Sequence, residues 1–136
     1  MNQMTVSAIV DNVKAVTRFV NERLDGLGCS ERIRIQVDVA IDEIFSNIVR
    51  YAYNPKTGPA TVCVEVEENP LSVVITFIDH GVPFDPLAED QPDTTRLPKG
   101  KRPIGGLGLF MVRKTMDDVT YQYKDGQNIL SIRKKI

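Results

Sequence analysis

Residues 60–86 read "ATVCVEVEENPLSVVITFIDHGVPFDP", and the periodicity of this stretch sets the fold class. Its first half alternates, with Val62, Val64 and Val66 on one side and Thr61, Cys63, Glu65 and Glu67 on the other. That is the period of a half-buried strand. Asn69 and Pro70 supply a turn, and "LSVVITFID" follows as a second strand whose unbroken apolar run predicts burial on both faces. Two strands joined by so short a turn make a hairpin, and the strand-ending Asp79 is left beside a glycine at position 81.

Upstream, "MTVSAIV" is short and β-branched enough for an edge strand. Val13, Val16, Phe19, Val20 and Leu24 then recur at helical spacing and predict a helix from about Ile9 to Leu27. Gly28 terminates it and Ser30 caps the next. That second helix carries Ile33, Val37, Ala40, Ile41, Ile44 and Ile48 on one face and is expected to end near Tyr53, before "NPKTGP". Downstream, residues 82–104 lose all periodicity and hold Pro83, Pro86, Pro92, Pro98 and Pro103. A loop of about twenty residues inside a domain is uncommon and often serves as a lid. "GGLGLFMV" then opens a helix near Leu107 to Met116, and "VTYQYK" and "NILSIRKK" follow as strands joined by Asp125-Gly126, a strong hairpin signal. The layout is α+β, a two-layer α/β sandwich formed by residues 1–136 as one domain. Its sheet is expected to be mixed and mostly antiparallel, with the helices on one face.

Composition narrows the function. The 136 residues are 42% hydrophobic and 26% charged, ordinary globular values. With a net charge of −1 no strong field exists to hold nucleic acid or an anionic membrane surface. Cys29 and Cys63 stand outside any C-x-x-C spacing and His80 is the only histidine, so a zinc site lacks ligands. The cysteines read as buried thiols in a reducing compartment. No basic segment leads into a long apolar core and no run approaches a membrane span, so a cytoplasmic location is expected.

Glu43 and Asn47 stand four apart on the second helix, and Arg50 continues that line three residues on. Spacing alone equally describes a solvated stripe on an amphipathic helix. Asp79 can accept a hydrogen bond from an exocyclic amine, and Gly81 lets a ligand ring approach the backbone; a D-x-G turn that only ends the strand fits the same letters. His80 has no nearby partner in the pattern and receives no role. The glycine cluster fails both familiar phosphate fingerprints. A P-loop ending on Gly100-Lys101 needs glycine at 95 and serine or threonine at 102, where Thr95 and Arg102 stand. A dinucleotide fingerprint from Gly106 needs a small residue at 111, where Met111 stands. What remains is a glycine-rich turn opening a helix, which presents free N–H groups and a positive dipole end to an anion.

In order, "DEIFSN", "DHGVPFD" and "GGLGLFMV" resemble the N, G1 and G2 boxes of the GHKL (Bergerat-fold) ATPase superfamily. The chain is most similar to its anti-sigma factor serine/threonine kinases, from "VTRFVNERLDGLG" through "VDVAIDEIFSNIVRYAY" to the final hairpin. The resemblance implies ATP and Mg²⁺ as ligands, with Asn47 on the metal and Glu43 as the general base toward a protein hydroxyl. It places Asp79 on the adenine amine, Gly81 beneath the base, and Arg50 and Phe84 at the nucleotide. Gly105, Gly106, Leu107, Gly108 and Leu109 would meet the phosphates, and Ser131 matches a threonine near adenine in relatives. The segment from Pro86 to Ile104 would be the ATP lid, bringing Lys99, Lys101 and Arg102 toward the phosphate tail. Many superfamily members have glycine where this chain has Pro83; the D-x-G-x-P-F-D form favours the small anti-sigma kinases and restricts φ at the start of the lid.

That family implies a kinase that phosphorylates an anti-anti-sigma factor and binds a sigma factor in a bacterial partner-switching system, and it leaves a homodimer open. Two other readings stand beside it. One is a nucleotide-dependent binding module that sequesters a partner without transfer. The other is the catalytic part of a histidine kinase, which needs a dimerising helix pair with an acceptor histidine; His80 lies in the G1 box, and no such helices precede residue 5.

Overall fold

The computed structural model describes residues 2–87 and 106–136, with the backbone alone for residues 106–108. Strand β1 (Asn2–Ser7) leads through a short 3-10 turn into α1 (Val13–Asp25). Helix α2 (Glu31–Asn47) is followed by a single π-helical turn, Ile48–Ala52. The hairpin β2 (Pro59–Glu67) and β3 (Ser72–Asp79) comes next, then α3 (Gly106–Thr115), β4 (Asp118–Lys124) and β5 (Gln127–Lys135). The strands form one five-stranded sheet in the order β1-β2-β3-β5-β4.

All pairings in that sheet are antiparallel, so the parallel component of the expected mixed sheet does not occur among the described residues. The reason is topological. β3 and β4 run parallel to one another across α3, as in a crossover unit, but β5 folds back from β4 and takes the place between them. The turn that drives this is Asp125-Gly126, with φ of 54° and 77°, the left-handed pair that a two-residue hairpin loop demands.

Ser30 caps α2 as expected, its hydroxyl accepting from the Ile33 N–H at 3.3 Å. The apolar rows of the helices bury Val16, Val20 and Leu24 from α1, Val37, Ala40, Ile41, Ile44 and Phe45 from α2, and Val112 and Met116 around α3. They pack on Val62, Val64, Val73, Ile75, Phe77, Leu130 and Ile132 of the sheet. β3 departs from expectation. Only Val73, Ile75, Phe77 and Asp79 of its alternating set are buried against the helices, whereas Val74, Thr76 and Ile78 on the other face are half-buried. An unbroken apolar run looks doubly covered, yet in this central strand the second face is shielded only by its neighbours, with Thr76 hydrogen-bonded to Ser131 at 2.9 Å.

The expected continuous helix to Tyr53 stops at Asn47 and widens into the π turn. Such turns recur at functional sites because they re-aim the residues that follow. Here the turn is tied down on two sides. The Tyr53 hydroxyl donates to the Pro59 carbonyl at 2.6 Å and accepts from the His80 N–H at 2.7 Å, joining the helix end to the start of β2 and the end of β3.

Candidate functional site

Those ties shape a cleft between the C-terminal end of α2, the π turn and the ends of β3, β4 and β5. Its walls are apolar, with Ile44, Ile48, Phe77 and Leu130 at the back, and the polar groups that reach it include Asn47, Asp79 and Asn128. A concave apolar pocket with a few converging polar groups is the usual form of a small-molecule site.

Asp79 is the next inward-facing position of β3 after Phe77, so strand period alone carries a carboxylate to the cleft floor, where it is 4% exposed. Its Oδ1 accepts from the Gly81 N–H at 2.9 Å and from Asn128 Nδ2 at 2.9 Å. Both donors converge on one oxygen, and Oδ2 has no hydrogen bond among the described residues. A single acceptor is thereby aimed at whatever occupies the cleft.

Asn128 was not singled out in the sequence, and it is the hub of this end of the site. Its Nδ2 also donates to the Val82 carbonyl at 2.8 Å, while its Oδ1 accepts from the Phe84 N–H at 3.1 Å and from the Tyr121 hydroxyl. Every amide contact is chemically matched, which fixes which way the side chain points. The signal was available: Asn128, Leu130 and Ile132 share one strand parity, so a buried amide stands in a core-facing row opposite Asp79. Ser131 has the other parity. It lies on the far face of the sheet, bonded to Thr76, and the expectation that it approaches adenine is corrected on that ground.

The identity of Gly81 has a structural reason in its own surroundings. A Cβ there would lie 2.2 Å from the Ala52 carbonyl oxygen and 2.5 Å from the carbonyl carbon, and the adjacent Val82 N–H donates to that same oxygen at 2.9 Å. The close approach is therefore that of the π turn's backbone. Gly81→Ala is expected to cost about 2–3 kcal/mol, the usual scale of forced overpacking against backbone. Gly26→Ala, whose Cβ would meet nothing nearer than 3.6 Å, serves as control and should stay within about 1 kcal/mol. Equal urea midpoints for the two variants would show that the π turn yields.

Asn47 lines the cleft from the C-terminal end of α2, and Glu43 and Arg50 stand about one helical turn before and after it. The Arg50 guanidinium donates to Asn47 Oδ1 at 3.2 Å, so the predicted polar line is real. Among the described residues, Glu43 Oε1 and Asn47 Nδ2 are buried without a hydrogen-bond partner. Buried polar atoms are nearly always satisfied, and two orphans one helical turn apart mark a place built for a ligand. Burial pushes the Glu43 carboxyl above the usual carboxylate range; Arg50 opposes the shift and Asp42 adds to it. Asn47 Oδ1 keeps a second lone pair beside a carboxylate. That suits a small cation which takes one or two protein oxygens and fills the remainder from phosphates and water.

Phe84 lines the mouth, its ring 5.0 Å from that of Tyr51 and tilted by 33°. Tyr51 and Tyr121 are further cleft residues that sequence reasoning passed over. Gly106, Leu107, Gly108 and Leu109 form the first turn of α3. Ser30, Arg32 and Ile33 at the start of α2 share a depression with Asp117, two residues beyond the end of α3, so the two helices run antiparallel. The first turn of α3, whose N–H groups have no intrahelical partner, therefore lies toward the Asn47 end of α2. Lys99, Lys101, Arg102 and Gly105 lie outside the described residues.

The model of the family described as "Histidine kinase-like ATPase domain" matches residues 6–134. Among curated proteins, the serine/threonine-protein kinase BtrW of Bordetella bronchiseptica is 31% identical over 103 residues, covering 76% of this chain and 71% of that protein. The serine-protein kinase RsbW of Bacillus cereus is 29% identical over 117 residues, covering 79% and 72%. Among solved structures, a chain of the SiaB-SiaC complex from Pseudomonas aeruginosa superposes with a TM-score of 0.65 at 17% identity, over 100% of this chain and 90% of that one. The RsbU and RsbW domains of Rv1364c from Mycobacterium tuberculosis give 0.63 at 14% identity, over 99% of this chain and 32% of theirs. These structural likenesses establish the fold.

Proposed function

The chain belongs to the histidine kinase-like ATPase domain family, and on that premise we propose that it is an ATP-dependent protein serine/threonine kinase of a bacterial partner-switching system. Its substrate is an anti-anti-sigma factor, and the protein it sequesters is a sigma factor. The kinase names of the BtrW and RsbW relatives support this reading. So does the absence of a membrane-crossing helix among the described residues, which fits the cytoplasm where such partners reside.

The observation that carries the proposal is the pair of buried atoms without partners among the described residues, Glu43 Oε1 and Asn47 Nδ2, one helical turn apart, with Asn47 lining the cleft that also presents Asp79. Adenine lies against Asp79 Oδ2, which accepts from its exocyclic amine, and the apolar walls take the ring. The phosphates extend toward Asn47 and the first turn of α3. Asn47 Oδ1 would hold Mg²⁺, which when bound would neutralise charge on the phosphates. Glu43, held above its ordinary pKa, takes the proton from the substrate hydroxyl as that oxygen forms its bond to the γ-phosphorus and the bond to ADP breaks.

Incubation with radiolabelled ATP and purified proteins encoded beside its gene, followed by phosphoamino-acid analysis, tests this. Phosphoserine or phosphothreonine on one partner is the expected product. Phosphohistidine would replace the reading with that of a histidine kinase domain, and ATP-dependent binding without label would make the protein a sequestering module.

A further inference from the structure

One row of side chains on α2 runs from solvent into the cleft. Ile35 is 53% exposed, Val39 is 50% exposed, Glu43 is half-buried and Asn47 is 6% exposed. Each step of four residues climbs about 6 Å and turns about 40° beyond a full revolution. The row therefore winds about 120° around the helix, from open surface to the phosphate end of the site. Glu43, half-buried and with its Oε1 buried, stands between the exposed pair and Asn47, which lines the cleft.

Single exposed apolar residues are ordinary. Two in line with a catalytic base are placed differently. We propose that Ile35 and Val39 are the docking surface for the protein substrate and grip an apolar side chain beside its acceptor serine or threonine. The inference rests on the kinase reading and assigns that site its second substrate.

Geometry supports the assignment. The acceptor oxygen has to come within hydrogen-bond reach of Glu43, about 3 Å. A stable interface covers about 800 Å² on each partner, equivalent to a disc of about 16 Å radius. Val39 and Ile35 lie about 6 and 12 Å from Glu43 along the helix axis. A folded partner that delivers its hydroxyl to Glu43 thus spreads over both. Arg32 and Asp42, exposed and three residues beyond either end of the pair, supply a polar rim of both signs. ATP occupies the buried end of the row, so the two substrates do not compete.

The test uses Ile35→Asp with Val39→Asp, two exposed sites where added charge leaves the core intact, beside the conservative pair Ile35→Leu with Val39→Ile. The expected result is at least a tenfold rise in KM for the phosphorylated partner and the same loss in its affinity by calorimetry, an ordinary effect at an interface hot spot. ATP affinity and kcat at saturating partner should not change, and the conservative pair should behave as wild type. An unchanged KM in an active kinase overturns the docking surface and leaves the kinase reading standing. A changed sedimentation coefficient with an unchanged KM overturns it in favour of a face between two copies of the chain. If wild type binds its partner without transfer and the aspartate pair abolishes that binding, the surface stands and the kinase reading falls. Neither binding nor transfer with any neighbouring protein removes both.

Discussion

Glu43→Gln is expected to bind Mg-ATP with near wild-type affinity and to transfer phosphate at least about 100-fold more slowly, the lower end of what a positioned general base contributes. Glutamine keeps the shape and length of the side chain but cannot accept the proton. The loss therefore falls on kcat rather than on the nucleotide's Kd. The pH dependence separates chemistry from damage. Burial raises the Glu43 carboxyl above its ordinary 4.5, so wild-type transfer should rise with pH through that elevated value, and the residual rate of the variant should not. Stability moves the other way. A raised folded pKa means that the folded state disfavours the charged form, so stability contributed by this group is full below the unfolded pKa and lost as pH rises through the folded one. Glu43→Gln should accordingly match wild type in urea at low pH and exceed it at neutral pH. A variant that is stabilised at neutral pH yet transfers at the wild-type rate would remove Glu43 from the chemistry while confirming that its charge is strained by burial.

Much of this was legible in the letters, for reasons that differ from residue to residue. Alternation in residues 60–67 and the Asp125-Gly126 turn are local signals, and both hairpins form as read. Asp79 was legible as the carboxylate that closes the apolar strand, while its burial on the face of Phe77 belongs to the folded sheet. Glu43, Asn47 and Arg50 were legible because i+4 and i+3 spacing survives in any helix, and the Arg50–Asn47 bond follows from it. The illegible parts depend on contacts between distant segments. The π turn leaves no periodic trace, since it is set by where Tyr53 can reach Pro59 and His80. The resemblance places Ser131 near adenine, but its parity is opposite to that of Leu130 and Ile132, which puts it on the other face of the sheet beside Thr76. Asn128 acquires its role only once β5 lies beside β3. The all-antiparallel sheet likewise follows from β5 inserting between β3 and β4, an event no single stretch encodes.

The second large effect is expected at the adenine end. Asp79→Asn should weaken ATP binding about 100-fold, the equivalent of losing one hydrogen bond to a charged acceptor. The network dictates how the new amide sits. Gly81 N–H and Asn128 Nδ2 both donate to Oδ1, and Asn128 cannot flip to offer its oxygen, because that oxygen already accepts from Phe84 and Tyr121. The asparagine oxygen must therefore take the Oδ1 place, which leaves its NH₂ where Oδ2 faced the cleft. Donor then meets donor at the adenine amine. Inosine triphosphate, which carries a carbonyl at that ring position, should lose far less affinity than ATP and should approach or overtake it in the variant. Calorimetry with the two nucleotides reads this directly, and the ratio is insensitive to any general loss of folded protein. Unchanged ATP affinity would take Asp79 out of the site. A uniform fall for both nucleotides would mean that the carboxylate only braces the segment from Gly81 to Phe84, and that base selection lies elsewhere in the cleft.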